Sequence, residues 1–102
     1  MPSYRLTSDA QSDLIEIRRY TLTQWGASQS KKYLSELRQT INLLSDAPAL
    51  GKQRSDIAVG IFSFPHTSHI IYYVMDKHQL VVFGVPYKRM VPLNHLKNRE
   101  TV

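Results

Sequence analysis

Apolar residues recur along this chain in two rhythms, first with the period of a helix and then with that of a strand. Tyr4-Arg5-Leu6-Thr7 alternates in character and predicts a short strand. Ala10, Leu14, Ile17, Thr21 and Trp25 then follow at spacings of four, three, four and four, one face of a helix over about Asp9–Trp25. Ser8 with Gln11 has the form of a capping box, and Asp9 suits a helix N-terminus. Ile15 and Leu22 widen the apolar surface beyond one stripe. Gly26 stands where a glycine ends a helix. A second helix is predicted from Ala27-Ser28 to about Ser45, with Ser30, Leu34, Leu37, Ile41 and Leu44 on one face and Tyr33 flanking it. Lys31, Lys32, Glu36 and Arg38 fall on or near the other face. Asp46-Ala47-Pro48 ends it, because proline cannot continue the hydrogen-bond ladder. So short a gap between helices implies an antiparallel hairpin.

After a loop from Ala49 to Val59 the period changes to two. Strands are predicted at about Gly60–Phe64, His69–Met75 and Leu80–Val85, with turns at Pro65–Ser68 and Asp76–Gln79. In the middle strand Ile70, Tyr72 and Val74 face one way, and Ile71, Tyr73 and Met75 the other. Both faces are largely apolar, so this strand is central, with the helices on one side and a partial cover on the other. Pro86 and Pro92 keep the remainder out of a central strand. Residues 86–102 are therefore expected as a basic, partly flexible tail whose removal exposes little core. The pattern gives a single α+β domain over 1–102, order β-α-α-β-β-β, an antiparallel sheet packed against an N-terminal helical hairpin.

Charge sharpens this picture. The chain carries 13 Lys/Arg against 8 Asp/Glu, a formal +5. The second half is the more basic: residues 52–102 hold seven cations and three acids, residues 1–51 six and five. Such a balance fits an ordinary solvated surface or an acidic partner. There is no cysteine, which excludes a disulfide framework and any cysteine metal site. No apolar run approaches the roughly 20 residues of a membrane span. The start, MPSYRLTSDAQ, lacks the apolar core of a signal peptide, and the absence of cysteine fits a reducing cytosol.

Candidate chemistry is sparse. The serines lie in caps or turns with no glycine elbow, so nothing positions a nucleophilic triad. His66, His69, His78 and His95 show no metal-ligand spacing. Metal-free ribonuclease chemistry would need a proton relay and cations; Tyr72, Tyr73, Tyr87, Lys88 and Arg89 are the groups on offer, against a core role for the strand tyrosines. No nucleic-acid-binding motif appears, so direct sequence-specific recognition is not expected. Tyr20, Trp25 and Tyr33 cluster at the hairpin junction. They suit a protein interface, or else seal the hairpin onto the sheet.

Several short signatures occur in order: Leu6-Thr7 with Ala10, Asp13-Leu14 and Ile17; Tyr20-Thr21 and Gln24-Trp25-Gly26; Tyr33-Leu34 and Leu37; Pro48 and Leu50-Gly51; Gly60; Phe64-Pro65; Ser68-His69, Ile71 and Tyr73; Val85, Arg89-Met90 and His95-Leu96. Together, from Tyr4 to Leu96, they resemble the RelE/ParE superfamily of small toxins, and ParE-type toxins most closely. The resemblance implies a bacterial cytoplasmic toxin, a ParD-like antitoxin encoded alongside, and a role such as plasmid stabilisation. ParE members are implied to poison DNA gyrase by binding; RelE members cut messenger RNA on the ribosome. The chain departs from the family in four places. Phe62 and Val74 stand where cations are usual, Tyr87 replaces a histidine, and Val91 replaces an acid. The missing cations weaken the nuclease alternative. The expected target-facing residues are Tyr87, Lys88, Arg89 and Met90, and the expected antitoxin-facing residues are Tyr20, Trp25 and Tyr33. No catalytic residue, metal, cofactor or membrane partner is expected. The alternatives are a ribosome-dependent endoribonuclease of RelE type and a non-toxic homologue that only binds its antitoxin.

Overall fold

A computed structural model describes residues 4–90 and 92–101. Its elements are β1 (Tyr4–Leu6), α1 (Ser8–Trp25), α2 (Ala27–Asp46), a 3-10 turn (Pro48–Leu50), β2 (Lys52–Gln53), β3 (Phe62–His66), β4 (His69–Asp76), β5 (Gln79–Gly84) and α3 (Pro92–Leu96). The strands form one sheet in the order β1-β5-β4-β3-β2. The meander β3–β5 is antiparallel as expected, and β4 is central. The sheet as a whole is mixed, because β1 joins β5 in parallel. The hairpin separates β1 from the meander, and it carries the chain over one face and back to the same end of the sheet.

Thr7, not Ser8, caps α1: its hydroxyl accepts from Ala10 N–H at 3.2 Å, and the Gln11 side chain reaches back to the Leu6 carbonyl at 3.3 Å. The predicted apolar face is buried at Ala10, Leu14, Ile17 and Thr21, whereas Trp25 is 45% exposed. Gly26 serves both helices, with φ 88°, in a region that side chains disfavour. Its N–H closes α1 and its carbonyl accepts from Ser30. Within the joint the Thr21 and Ser30 hydroxyls pair at 2.6 Å, both buried. On α2 the buried face runs through Ser30, Tyr33, Leu37, Ile41 and Leu44, so Tyr33 belongs to it and Leu34 sits at its margin.

The alternation read for β4 holds at its centre. Ile71 and Tyr73 join the core under the hairpin, and Tyr72, with Ile70 and Val74, joins a second core on the far face. Met75 is exposed. Phe83 is the extra residue of a bulge, since Tyr72 pairs with Gly84 and Tyr73 with Val82. The turn expected at Pro65–Ser68 is tighter than expected: Pro65 pairs within β3, and Thr67-Ser68 alone joins the strands. Two parts of the chain cover the far face. Ile57 and Ile61 come from the loop after β2, and Leu96 comes from α3.

That second cover corrects the expectation of a dispensable tail. Leu96 is buried and seats on Gly84 so closely that a Cβ there would meet Leu96 Cδ2 at 2.5 Å. Arg99 is tied to α1 through Asp13. Val91, the residue at the family's acidic position, lies outside the described residues. Among the described residues no helix is long and apolar enough to cross a membrane.

Candidate functional site

The helix period brings Asp13, Ile17 and Tyr20 to one side of α1, facing the chain that leaves β5. Between them lies a cleft of about 530 Å³, lined also by His69, Tyr87, Met90 and His95. Its walls are largely apolar, with the polar groups at fixed points. Two hydrogen bonds to β4 and the turn before it steer the chain along its rim: Ile70 N–H to the Pro86 carbonyl at 3.0 Å, and Lys88 N–H to the Ser68 carbonyl at 2.8 Å. Pro86 is buried, and Tyr87, Lys88, Arg89 and Met90 are all exposed. None of the ion pairs among the described residues involves Lys88 or Arg89, so both charges face solvent uncompensated.

A run of rings joins this rim to the hairpin junction. Tyr20 meets Trp25 edge-on at 6.4 Å, Trp25 meets Tyr33 at 5.6 Å, Tyr33 meets His69 at 5.6 Å, and His69 meets Tyr87 at 5.9 Å. Tyr20, Tyr87 and Met90 share one cleft, and the run links it to Trp25 through the buried rings of Tyr33 and His69. Tyr20 and Trp25 are about half exposed, at 54% and 45%. Tyr33 is not a surface residue. It is 7% exposed, and its hydroxyl takes the Ser68 N–H and lies 2.7 Å from His69 Nδ1. Burial raises its pKa. Its part is to support Trp25 and His69 from beneath.

Sequence reasoning missed three residues. His69 is buried, and desolvation first and the neighbouring His66 second push its pKa down to about 4. It presents a neutral ring to the cleft. Its signal was parity: His69, Ile71 and Tyr73 point the same way. Asp13 sits on the buried side of α1, and the spacing Ala10, Asp13, Ile17 could have flagged a charge on an apolar face. Burial pushes its carboxyl up, but hydrogen bonds from Arg99 and from Val85 N–H, with the Arg99 charge, outweigh this and hold its pKa below 3.8. Arg99 carried no local signal, since its partner lies 86 residues away.

On the far face Arg54 reaches Ser63 and the Tyr72 hydroxyl, each at 3.3 Å. Its guanidinium is already engaged by Asp56 at 2.9 and 3.0 Å, so it is not a free cation beside the strand tyrosine. Tyr72 is fully buried, as a core role demands. Among the described residues no group of three His, Asp or Glu is placed to hold a metal ion.

Residues 4–92 match the family described as ParE toxin of type II toxin-antitoxin system, parDE. Toxin ParE1 of Caulobacter vibrioides is 32% identical over 73 residues, 72% of this chain and 76% of that protein. Toxin ParE of Escherichia coli is 28% identical over 100 residues, 97% of each chain. A solved structure described as the chromosomal ParDE TA system from P. aeruginosa superimposes with a TM-score of 0.74 at 15% identity, covering 85% of this chain and 96% of that one; the two share a fold.

Proposed function

The chain belongs to the ParE toxin family, and from that premise we propose that it inhibits DNA gyrase by binding, without turnover, until a cognate ParD-like antitoxin neutralises it in the bacterial cytoplasm. The observation that carries the reading is the rim of the cleft. Lys88 and Arg89 project uncompensated from a segment pinned to β4, with Tyr87 and Met90 beside them. This is a cationic contact with an adaptable apolar part, suited to an acidic or nucleic-acid-associated target. The exposed pair Tyr20 and Trp25 is the proposed antitoxin anchor, because half-exposed aromatics over a rigid support favour association at low entropic cost. A disordered acidic antitoxin segment would fold across this ladder toward Tyr87. The nuclease alternative finds less support. Phe62 and Val74 occupy the strand positions where it needs cations, and the strand tyrosine is buried beside a paired arginine.

Expression without antitoxin tests the reading. The expected result is filamentation with DNA-damage signalling. Ribosome-dependent cuts in messages, mapped by primer extension, would replace it with the endoribonuclease. Normal growth, with stable co-purification of the neighbouring acidic protein, would replace it with a non-toxic homologue.

A further inference from the structure

The end of β5 outruns its neighbour. Pairing with β1 stops at Leu6 opposite Val82, and Thr7 N–H takes the Val82 carbonyl at 3.0 Å. Beyond that point side chains replace the missing strand. The Val85 N–H donates to Asp13 Oδ2 at 2.8 Å, and Arg99 donates to the Phe83 carbonyl at 3.1 Å. The same Arg99 grips both oxygens of Asp13, at 2.6 and 2.9 Å, and reaches His95 Nε2 at 3.0 Å. Asp13 is 9% exposed, so this is a two-pronged, charge-assisted contact shielded from water.

We infer that Asp13 is the positioning residue of the Tyr87–Met90 segment: one buried carboxylate on α1 holds the chain immediately before the segment, at Val85, and again beyond it, at Arg99. The segment is thereby a loop with both feet on one group. Among the described residues the chain here has two further backbone ties to the sheet, Lys88 N–H to Ser68 in the turn before β4 and Ile70 N–H to Pro86. Those alone fix its height on the sheet. They do not fix its angle to α1, which sets the width of the cleft between Tyr20 and Met90. The importance of that angle rests on the target-facing reading of Lys88 and Arg89; the positioning itself does not.

Backbone nitrogen relaxation on the purified full chain, read below each variant's melting temperature, separates positioning from general stability, because it reports motion within the folded state. Asp13→Asn keeps an acceptor for Val85 but loses the charge that grips Arg99, and Arg99→Lys keeps the charge but loses the fork. Asp13→Ala removes both feet. Each variant is expected to lower the amide order parameter of Lys88 from about 0.85 toward about 0.6, Asp13→Ala the most, while Tyr73 and Val81 in the central strands stay near about 0.85. An unchanged value at Lys88 would overturn the inference. A parallel fall at Tyr73 and Val81 in both milder variants would also overturn it, because the pair would then serve the whole fold. Growth inhibition by the same variants is the second readout, expected to fall with the order of Lys88. Selective loosening of Lys88 with undiminished toxicity would uphold the positioning and refute the target-facing assignment.

Discussion

At the scale of single residues, the site is built from groups whose neighbours decide their chemistry. His69 is the clearest case. In the folded protein its ring stays neutral down to about pH 4, against an ordinary 6.5. Between those values the unfolded chain binds a proton that the folded chain does not, so stability must fall as the pH drops through that window. A gap of this size corresponds to about 3 kcal/mol. His69→Gln retains a polar neighbour for the Tyr33 hydroxyl but cannot titrate. Urea unfolding at pH 7 and pH 4.5 should therefore show a smaller acid loss for the variant than for the parent, and equal losses would clear His69 of the effect. Asp13 acts in a lower window. Its folded pKa lies below 3.8, so its contribution is complete above that value and is lost as the pH falls through the lower one. The two residues can thus be distinguished on one pH axis.

At the scale of elements, the helices and the meander were legible because each repeats its period over several turns or residues. Leu14 and Ile17, Leu37 and Ile41, and Ile71 and Tyr73 all occupy the buried positions that spacing assigned them. What escaped notice was short or remote. β2 has two residues and borrows its regularity from β3. α3 has five, and its anchors Leu96 and Arg99 make sense only against Gly84 and Asp13, far away in sequence. The cap of α1 shifted by one residue because Thr7 and Ser8 offer the same hydroxyl and only the strand before them selects between them. Two stability predictions belong here. Gly26→Ala forces a side chain into a backbone region essentially restricted to glycine, which costs about 1–3 kcal/mol. Its melting temperature should drop by roughly 5 °C or more; an unchanged value would mean that the joint relaxes. Truncation after Met90 removes Leu96 and leaves Asp13 buried without its cation. It should cost about 4 kcal/mol or more in denaturant unfolding, whereas a dispensable tail would leave the midpoint in place.

At the scale of the molecule, a helical hairpin and a short clasp hold the sheet between them, and the chain leaving β5 forms a cleft against α1. There the aromatic ladder from Tyr20 to Tyr87 meets Lys88 and Arg89. Composition alone could not place that meeting, because a +5 balance says nothing of where the charges lie. Nor did the order of signatures, which puts Arg89-Met90 after Val85 but leaves the aromatic residues of the hairpin as a separate group. If Lys88 and Arg89 face the target, Lys88→Glu with Arg89→Glu should abolish growth inhibition while the variant melts cooperatively near the parent temperature; both side chains are exposed and unpaired, and surface changes of this kind stay within about 0.5 kcal/mol. Retained toxicity would move the target contact elsewhere. The most direct measurement is the supercoiling of relaxed plasmid by purified DNA gyrase, titrated with the purified protein alone and after premixing with its cognate antitoxin. The expected result is dose-dependent inhibition that the antitoxin relieves and that the double charge reversal removes. Full supercoiling in the presence of excess, correctly folded protein, with messages cut on ribosomes in a parallel reaction, would contradict it.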